Sequence, residues 1–89
     1  MDNIANQNNK LKVYTGNNKF IKCTPEMIHN ILLLYTKNLE AIVRTERLVT
    51  TQLANYSDIK LTDLNIMIYE SLEKLRYYDI AKSYYKFNL

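Results

Sequence analysis

The chain has 89 residues, of which 47% are hydrophobic and 24% are charged. This size and balance predict one globular domain with a thin core, which argues against a complete enzyme with a deep catalytic cavity. The single cysteine, Cys23, excludes an internal disulfide, and no apolar run approaches the roughly 20 residues that a membrane span requires. Residues 1–4 lack the basic start and apolar run of a secretory signal. We therefore expect a cytoplasmic protein in a reducing compartment.

The net charge of +3 is concentrated near the N-terminus. Residues 1–22 contain four lysines and one aspartate, whereas the charges in the rest of the chain balance. A local excess of this kind favours either an anionic ligand, such as a phosphate, or a simple solvated hairpin surface. Nucleic-acid binding is less favoured, because such surfaces normally carry a denser stripe of Arg and Lys.

A β-hairpin is predicted at the start of the domain. Residues 1–10 are polar and rich in Asn, so we expect them to form a flexible tail before a single domain over residues 11–89. Two short runs of β-branched and aromatic residues flank residues 16–18 (GNN). Because Gly and Asn tolerate the positive φ of tight turns, this pattern predicts a hairpin.

The first helix has the clearest start in the sequence. Thr24 is a good N-cap, Pro25 fits the first helical position, and Glu26 favours the positive end of the helix. Leu33 and Leu34 widen the apolar stripe that follows. We therefore expect a central helix that is covered on more than one side.

Three more helices are predicted after the first. Residues 40–56 keep one apolar face and predict a second helix, which is followed by a polar connection over residues 55–60. Thr62 is expected to cap a third helix with strong amphipathic spacing. Residues 76–79 interrupt that pattern, and residues 80–87 predict a short last helix. The predicted fold is α+β and mostly α, with an N-terminal β-hairpin capping a four-helix bundle.

Residues suited to catalysis or metal binding are scarce. His29 is the only histidine, and Glu26 is its one acidic neighbour at helical spacing. Such a pair is more often a surface ion pair than a catalytic site. Cys23 and His29 alone cannot supply the three or four ligands of a zinc site. We expect neither a catalytic site nor a metal site, and we expect Cys23 to be a small buried hydrophobe beside the hairpin.

Tyrosine is frequent, with eight residues that become denser near the C-terminus. Tyr84 falls on the predicted core face, where an amphipathic tyrosine commonly closes the edge of a small core. Tyr77, Tyr78 and Tyr85 are candidates for contact with a partner chain. Stacking on nucleic-acid bases is an alternative use of these rings.

Four segments of the chain carry a family resemblance. They are residues 12–13 (KV) entering the hairpin, 26–28 (EMI), 59–64 (IKLTDL) and 77–84 (YYDIAKSY). The last segment is similar to a pattern of an acidic residue, an aliphatic residue, Ala-Lys and a later Tyr. Together, over residues 11–89, they resemble the ATP-cone, the N-terminal regulatory domain of many ribonucleotide reductases.

The resemblance implies an allosteric, nucleotide-binding function. It implies that ATP or dATP binds as a regulatory ligand and that the signal passes by protein–protein interaction to a ribonucleotide reductase catalytic part, often through a change of oligomer. The triphosphate is expected beneath the hairpin, against the N-terminal end of the first helix. The candidates for nucleotide binding are Val13, Thr15, Gly16, Lys19, Lys22, Thr24 and Asn65.

The chain departs from the ATP-cone pattern at phosphate-binding positions. The family's Lys-Arg-Asp-Gly falls on residues 15–18 (TGNN), its helix-start Lys on Met27, a His on Asn65, and a C-terminal basic residue on Asn88. Two charges of the phosphate-binding motif are therefore replaced. Lys19 and Lys22, on the second strand of the hairpin, are candidates to compensate as flexible point charges.

Two alternatives remain open beside a regulatory ATP-cone. The chain is alternatively a non-enzymatic structural or adaptor subunit of a larger assembly, which kept the cone fold and lost nucleotide binding. The third and least favoured interpretation is a weak nucleic-acid-binding module that uses the basic hairpin and the C-terminal helix. A steep loss of affinity with salt would mark that module, because phosphate contacts release counterions.

Overall fold

The computed structural model describes residues 11–89, and the predicted tail at residues 1–10 lies outside the described residues. The elements in chain order are β1 (Lys12–Gly16), β2 (Lys19–Lys22), α1 (Pro25–Leu33), α2 (Leu39–Leu53), β3 (Asp58–Lys60), α3 (Leu61–Lys74) and α4 (Tyr78–Asn88). The described chain is a small α+β fold in which helix predominates. This confirms the predicted class and the four helices.

The predicted hairpin forms the larger part of a sheet with strand order β2-β1-β3. β1 pairs antiparallel with β2, and the register shifts between Tyr14 and Gly16. The turn has positive φ at Gly16 (138°), Asn17 (34°) and Asn18 (69°). Gly and Asn are the residues that adopt this region at least cost, so the turn forms where the sequence predicts it.

The third strand corrects the predicted polar connection at residues 55–60. β3 pairs in parallel with β1, with Ile59 opposite Val13 and Lys60 opposite Tyr14. In β3 only Ile59 is buried, between exposed Asp58 and Lys60. Three residues are too few for an alternating pattern to stand out from a polar loop. The hairpin is therefore part of a mixed sheet rather than a separate cap.

The starts of α1 and α3 differ in how they are capped. At α1, Thr24 is the N-cap as predicted, and its hydroxyl accepts a hydrogen bond from the Met27 N–H at 3.2 Å. At α3, the N-cap is Lys60 rather than Thr62, and the Lys60 side chain makes no capping hydrogen bond. Thr62 is not the cap because β3 ends at Lys60 and α3 begins at the next residue, Leu61.

The expectation that the first helix is central is wrong. α1 ends at Leu33, and the exposed fractions of Leu33 and Leu34 are 45% and 77%. Along the chain α1 packs on α2, α2 on α3 and α3 on α4, while α3 also contacts β1 and β3. α3 is therefore the central element of the fold.

One hydrophobic core joins the sheet and the four helices. Its fully buried members include Val13, Ile28, Leu32, Ile42, Val49, Leu64, Ile68, Leu72 and Tyr84. The predicted burial of Tyr84 and of Cys23 is confirmed. Desolvation of the Cys23 thiol raises its pKa from 9.0 to about 11.

Candidate functional site

A groove lies between the tip of the hairpin and the start of α3. It has a volume of about 350 Å³ and is called the hairpin-turn groove below. Its lining residues are Tyr14, Thr15, Gly16, Asn17, Asn18, Lys60, Leu61 and Thr62.

The parallel pairing of β1 and β3 creates the hairpin-turn groove. Tyr14, near the end of β1, is the pairing partner of Lys60, which is also the N-cap of α3. The first turn of α3 is therefore held beside the loop that follows β1. Because residues 16–18 all have positive φ, the backbone of this loop curves tightly next to the helix start.

The hairpin-turn groove has the features of an anion-binding site. The first N–H groups of any α-helix lack partners within the helix, and among residues 11–89 no side chain caps this end of α3. Lys60 is exposed and adds a positive charge at the same place. Asp63, in the first turn of α3, opposes that charge. The backbone and Lys60 together favour a phosphate, with Asp63 limiting the local positive potential.

The start of α1, where the resemblance placed the triphosphate, is already capped. The Thr24 hydroxyl accepts from Met27, and the Glu26 carboxylate lies in the first turn. The Thr24 cap satisfies one of the N–H groups that an anion would use, and both helices carry a carboxylate in the first turn, so the cap is what distinguishes the two helix starts. The structure therefore offers an uncapped helix start at α3 rather than at α1.

The predicted nucleotide-binding residues occupy different surroundings. Thr15 and Gly16 line the hairpin-turn groove. Val13 is fully buried in the core, and Thr24 caps α1. Oδ1 of Asn65 accepts a hydrogen bond from the Tyr84 hydroxyl at 2.6 Å. These contacts give Val13, Thr24 and Asn65 structural roles in the described fold.

Both predicted lysines lie on β2, and both are exposed. Successive side chains of a strand point to opposite faces, so Lys19 shares a face with Ile21 and Lys22 shares a face with Phe20. Lys12 pairs with Lys22, and its Nζ lies 4.8 Å from the centre of the Phe20 ring. The side chains of Lys19 and Lys22 therefore leave the hairpin from opposite faces. They cannot both contact a phosphate that lies on one face.

Two of the three partner-contact candidates, Tyr78 and Tyr85, line a second groove, between α3 and α4. Tyr77 is half-buried and packs against the core, whereas Tyr78 and Tyr85 are exposed. The groove has a volume of about 300 Å³ and is called the tyrosine groove below. Its lining residues are Tyr69, Glu73, Tyr78, Lys82 and Tyr85. The sequence prediction missed Tyr69 and Glu73, although their spacing of four residues places them on one face of α3.

His29 contacts Glu46 rather than Glu26, its acidic neighbour at helical spacing. Nδ1 of His29 lies 3.0 Å from Oε1 of Glu46, so the contact joins α1 to α2. Sequence spacing within one helix could not indicate a partner 17 residues away. The contact is a half-buried link between helices.

No protein-family model, curated protein or solved structure matches the chain. Within residues 11–89, no three or more His, Cys, Asp and Glu side chains are grouped so as to hold a metal ion. In the same part of the chain, no helix has both the length and the apolar character needed to cross a bilayer.

Proposed function

We propose that the chain is a regulatory ATP-cone-like domain that binds ATP or dATP and transmits this binding to the catalytic part of a ribonucleotide reductase. The observation that supports it most strongly is the hairpin-turn groove, in which an uncapped helix start meets a glycine-asparagine turn and Lys60. The sequence resemblance supplies the class of ligand and partner. The domain would act by differential binding, without catalytic residues of its own.

The triphosphate is proposed to lie in the hairpin-turn groove. Backbone N–H groups of a tight turn and of a helix start form concave sites that suit phosphate oxygens. Lys60 would supply a point charge to the phosphates, and Lys19 lies at the other side of the turn, opposite Gly16. Tyr14 lines the same groove and offers an aromatic face to the base.

Regulation by ATP and dATP requires the groove to distinguish one ribose hydroxyl. A site that hydrogen-bonds such a hydroxyl discriminates strongly against the ligand that lacks it, because the protein group is then left unpaired. Thr15, Asn17 and Thr62 provide polar side chains around the groove. One of these groups is proposed to contact the 2′ position.

Calorimetric titration with ATP and with dATP tests the proposal, with the mass of the protein measured by light scattering before and after. Lys60→Ala is expected to weaken nucleotide binding at least about tenfold, because a charge-assisted phosphate contact is lost. Lys37→Ala is the matched control, since it removes the same charge from an exposed position outside the groove. Its affinity is expected to stay within about twofold of the unmodified chain.

Two results would overturn this assignment. The absence of heat with both nucleotides, in a chain shown to be folded by circular dichroism, would remove the nucleotide-sensor function. Equal losses of affinity in Lys60→Ala and Lys37→Ala would show a general charge effect and would remove the groove as the binding site.

A second candidate is an adaptor that works through protein contact alone. It is supported by large apolar side chains at the surface, with exposed fractions of 77% for Leu34, 69% for Phe87 and 62% for Leu39. Side chains of this kind contribute to protein interfaces when they lie close together. If this candidate is correct, Leu34→Gln will weaken association with the purified reductase, while ATP and dATP will give no heat.

A further inference from the structure

The tyrosine groove plays no part in the proposed nucleotide site. The Tyr69 and Tyr85 rings approach each other across α3 and α4, with centroids 5.2 Å apart and planes at 54°. Tyr78 and Tyr85 keep exposed fractions of 59% and 53%. Three aromatic rings therefore line one solvent-open groove, together with Glu73 and Lys82.

The groove combines ring faces with a carboxylate. The Tyr69 hydroxyl donates to Oε2 of Glu73 at 2.8 Å, which fixes both side chains along α3. Among the described residues, no Lys or Arg nitrogen lies within 4.0 Å of the Glu73 carboxylate. Aromatic ring faces carry negative electrostatic potential, and the Glu73 carboxylate adds to it. The hydrogen bond to Glu73 raises the pKa of the Tyr69 hydroxyl, and the negative charge of Glu73 acts in the same direction.

Lys82 is the one basic residue of the groove. It is exposed, and its ammonium group is not paired with Glu73. A lysine of this kind buries part of its methylene stem and keeps its charge in water. The Lys82 charge would repel a cationic ligand and attract an anionic one. Removal of this charge should therefore raise the affinity for a cation and lower the affinity for an anion.

We propose that the tyrosine groove binds the guanidinium group of an arginine presented by a partner protein. A guanidinium is planar, stacks on tyrosine faces, and can donate to the remaining lone pairs of the Glu73 carboxylate. In this arrangement Tyr69 and Tyr85 contact the guanidinium plane, and Glu73 supplies the opposite charge. This binding is independent of nucleotide binding at the hairpin-turn groove.

The test compares two peptides that differ almost only in charge, Gly-Gly-Arg-Gly-Gly and the same peptide with citrulline. Each is titrated into the full chain and followed by amide NMR shifts. The arginine peptide is expected to bind at least about fivefold tighter, because citrulline keeps the shape and loses the charge. The shifts are expected at residues 69–73 and 78–85.

Variants at the groove give the residue-level test. Glu73→Gln and Tyr85→Leu are each expected to weaken arginine-peptide binding about threefold or more, while Tyr85→Phe keeps the ring and the affinity. Lys82→Gln is expected to tighten binding about twofold, since a repulsive charge is removed. Asp58→Asn removes a similar charge from β3 and is expected to leave the affinity unchanged.

Three outcomes would overturn the proposal. Equal affinity for the arginine and citrulline peptides would exclude recognition of a cation. Weaker binding of the arginine peptide by Lys82→Gln would show that Lys82 attracts the peptide, which would exclude the guanidinium as the group that the groove recognises. If methylguanidinium alone bound as tightly as the arginine peptide, the occupant would be a free small cation rather than a partner's side chain. All four substituted side chains are exposed, so the variants are expected to fold, and circular dichroism of each variant checks this.

Discussion

The Tyr84 hydroxyl donates a 2.6 Å hydrogen bond to Oδ1 of Asn65, which joins α4 to α3 at the core. A second contact holds the end of α4, because Nδ2 of Asn88 donates to the Tyr35 hydroxyl at 2.9 Å. The sequence resemblance would set these two asparagines against a histidine and a basic residue of the ATP-cone pattern. Both asparagines are used here to position α4, so their amide groups have structural partners in the fold.

Tyr84→Phe is expected to lower the free energy of unfolding by about 1–2 kcal/mol, because it leaves the half-buried Asn65 oxygen without its partner. Urea denaturation followed by circular dichroism measures the change. Tyr78→Phe is the control, since its ring is 59% exposed and its loss of a hydroxyl should cost less than about 0.5 kcal/mol. Equal effects of the two substitutions would contradict the assigned role of the Tyr84 hydroxyl.

Val13→Ala is expected to act on stability rather than on ligand contacts. Val13 is fully buried, so removal of its two methyl groups should cost about 2–3 kcal/mol through lost burial and a small cavity. Ile21 faces Val13 across the hairpin but is 46% exposed, and Ile21→Ala should cost less than about 1.5 kcal/mol. Chemical denaturation of both variants checks the difference, and a larger loss at Ile21 would contradict the described core.

Arg76→Gly is expected to stabilise the chain by about 0.5–1 kcal/mol. Arg76 follows the C-cap of α3 with a φ of 69°, in the left-handed region that favours glycine. Its N–H donates to the Glu73 carbonyl, and the Tyr77 N–H donates to the Leu72 carbonyl, which closes the helix end. Thermal unfolding measures the gain. A lower melting temperature would show that contacts of the Arg76 side chain stabilise the fold by more than its positive φ destabilises it.

Alkaline pH is expected to destabilise the fold through Cys23. Because burial raises the thiol pKa from 9.0 to about 11, the folded state holds its proton more tightly than the unfolded state. The stabilisation is present below pH 9 and is lost as the pH rises toward 11, with an upper limit of about 2.7 kcal/mol. Unfolding free energies at pH 8 and pH 10.5 measure this loss, and Cys23→Val should show a smaller one. Identical pH dependence in both chains would assign the effect to other groups.

Local sequence patterns predicted much of the fold, and the features that they did not predict depend on pairing between residues far apart in the chain. The Thr24 cap, the turn at residues 16–18 and the core position of Tyr84 each depend on neighbouring residues or on helical spacing, and each is confirmed. β3 was missed because its three residues become a strand only by pairing with β1, more than 40 residues earlier in the chain.

The surroundings of the candidate site were less predictable. Leu33 and Leu34 would be covered only if α1 were the central helix. The central helix is α3, and both leucines are exposed. The hairpin-turn groove depends on the parallel pairing of Tyr14 with Lys60, which local sequence patterns do not report. Sequence reasoning therefore identified Thr15 and Gly16 but had no reason to include Lys60.

An amide NMR titration of the isotope-labelled chain with ATP shows where on the chain the triphosphate binds. If the triphosphate binds in the hairpin-turn groove, the largest shifts will fall at residues 15–18 and 60–63, and they will saturate with the calorimetric affinity. The Lys60→Ala variant will show the same pattern only at higher ATP concentration. Shifts centred on residues 24–28 would place the triphosphate at the start of α1 instead, and no shifts at all in a folded sample would exclude ATP binding.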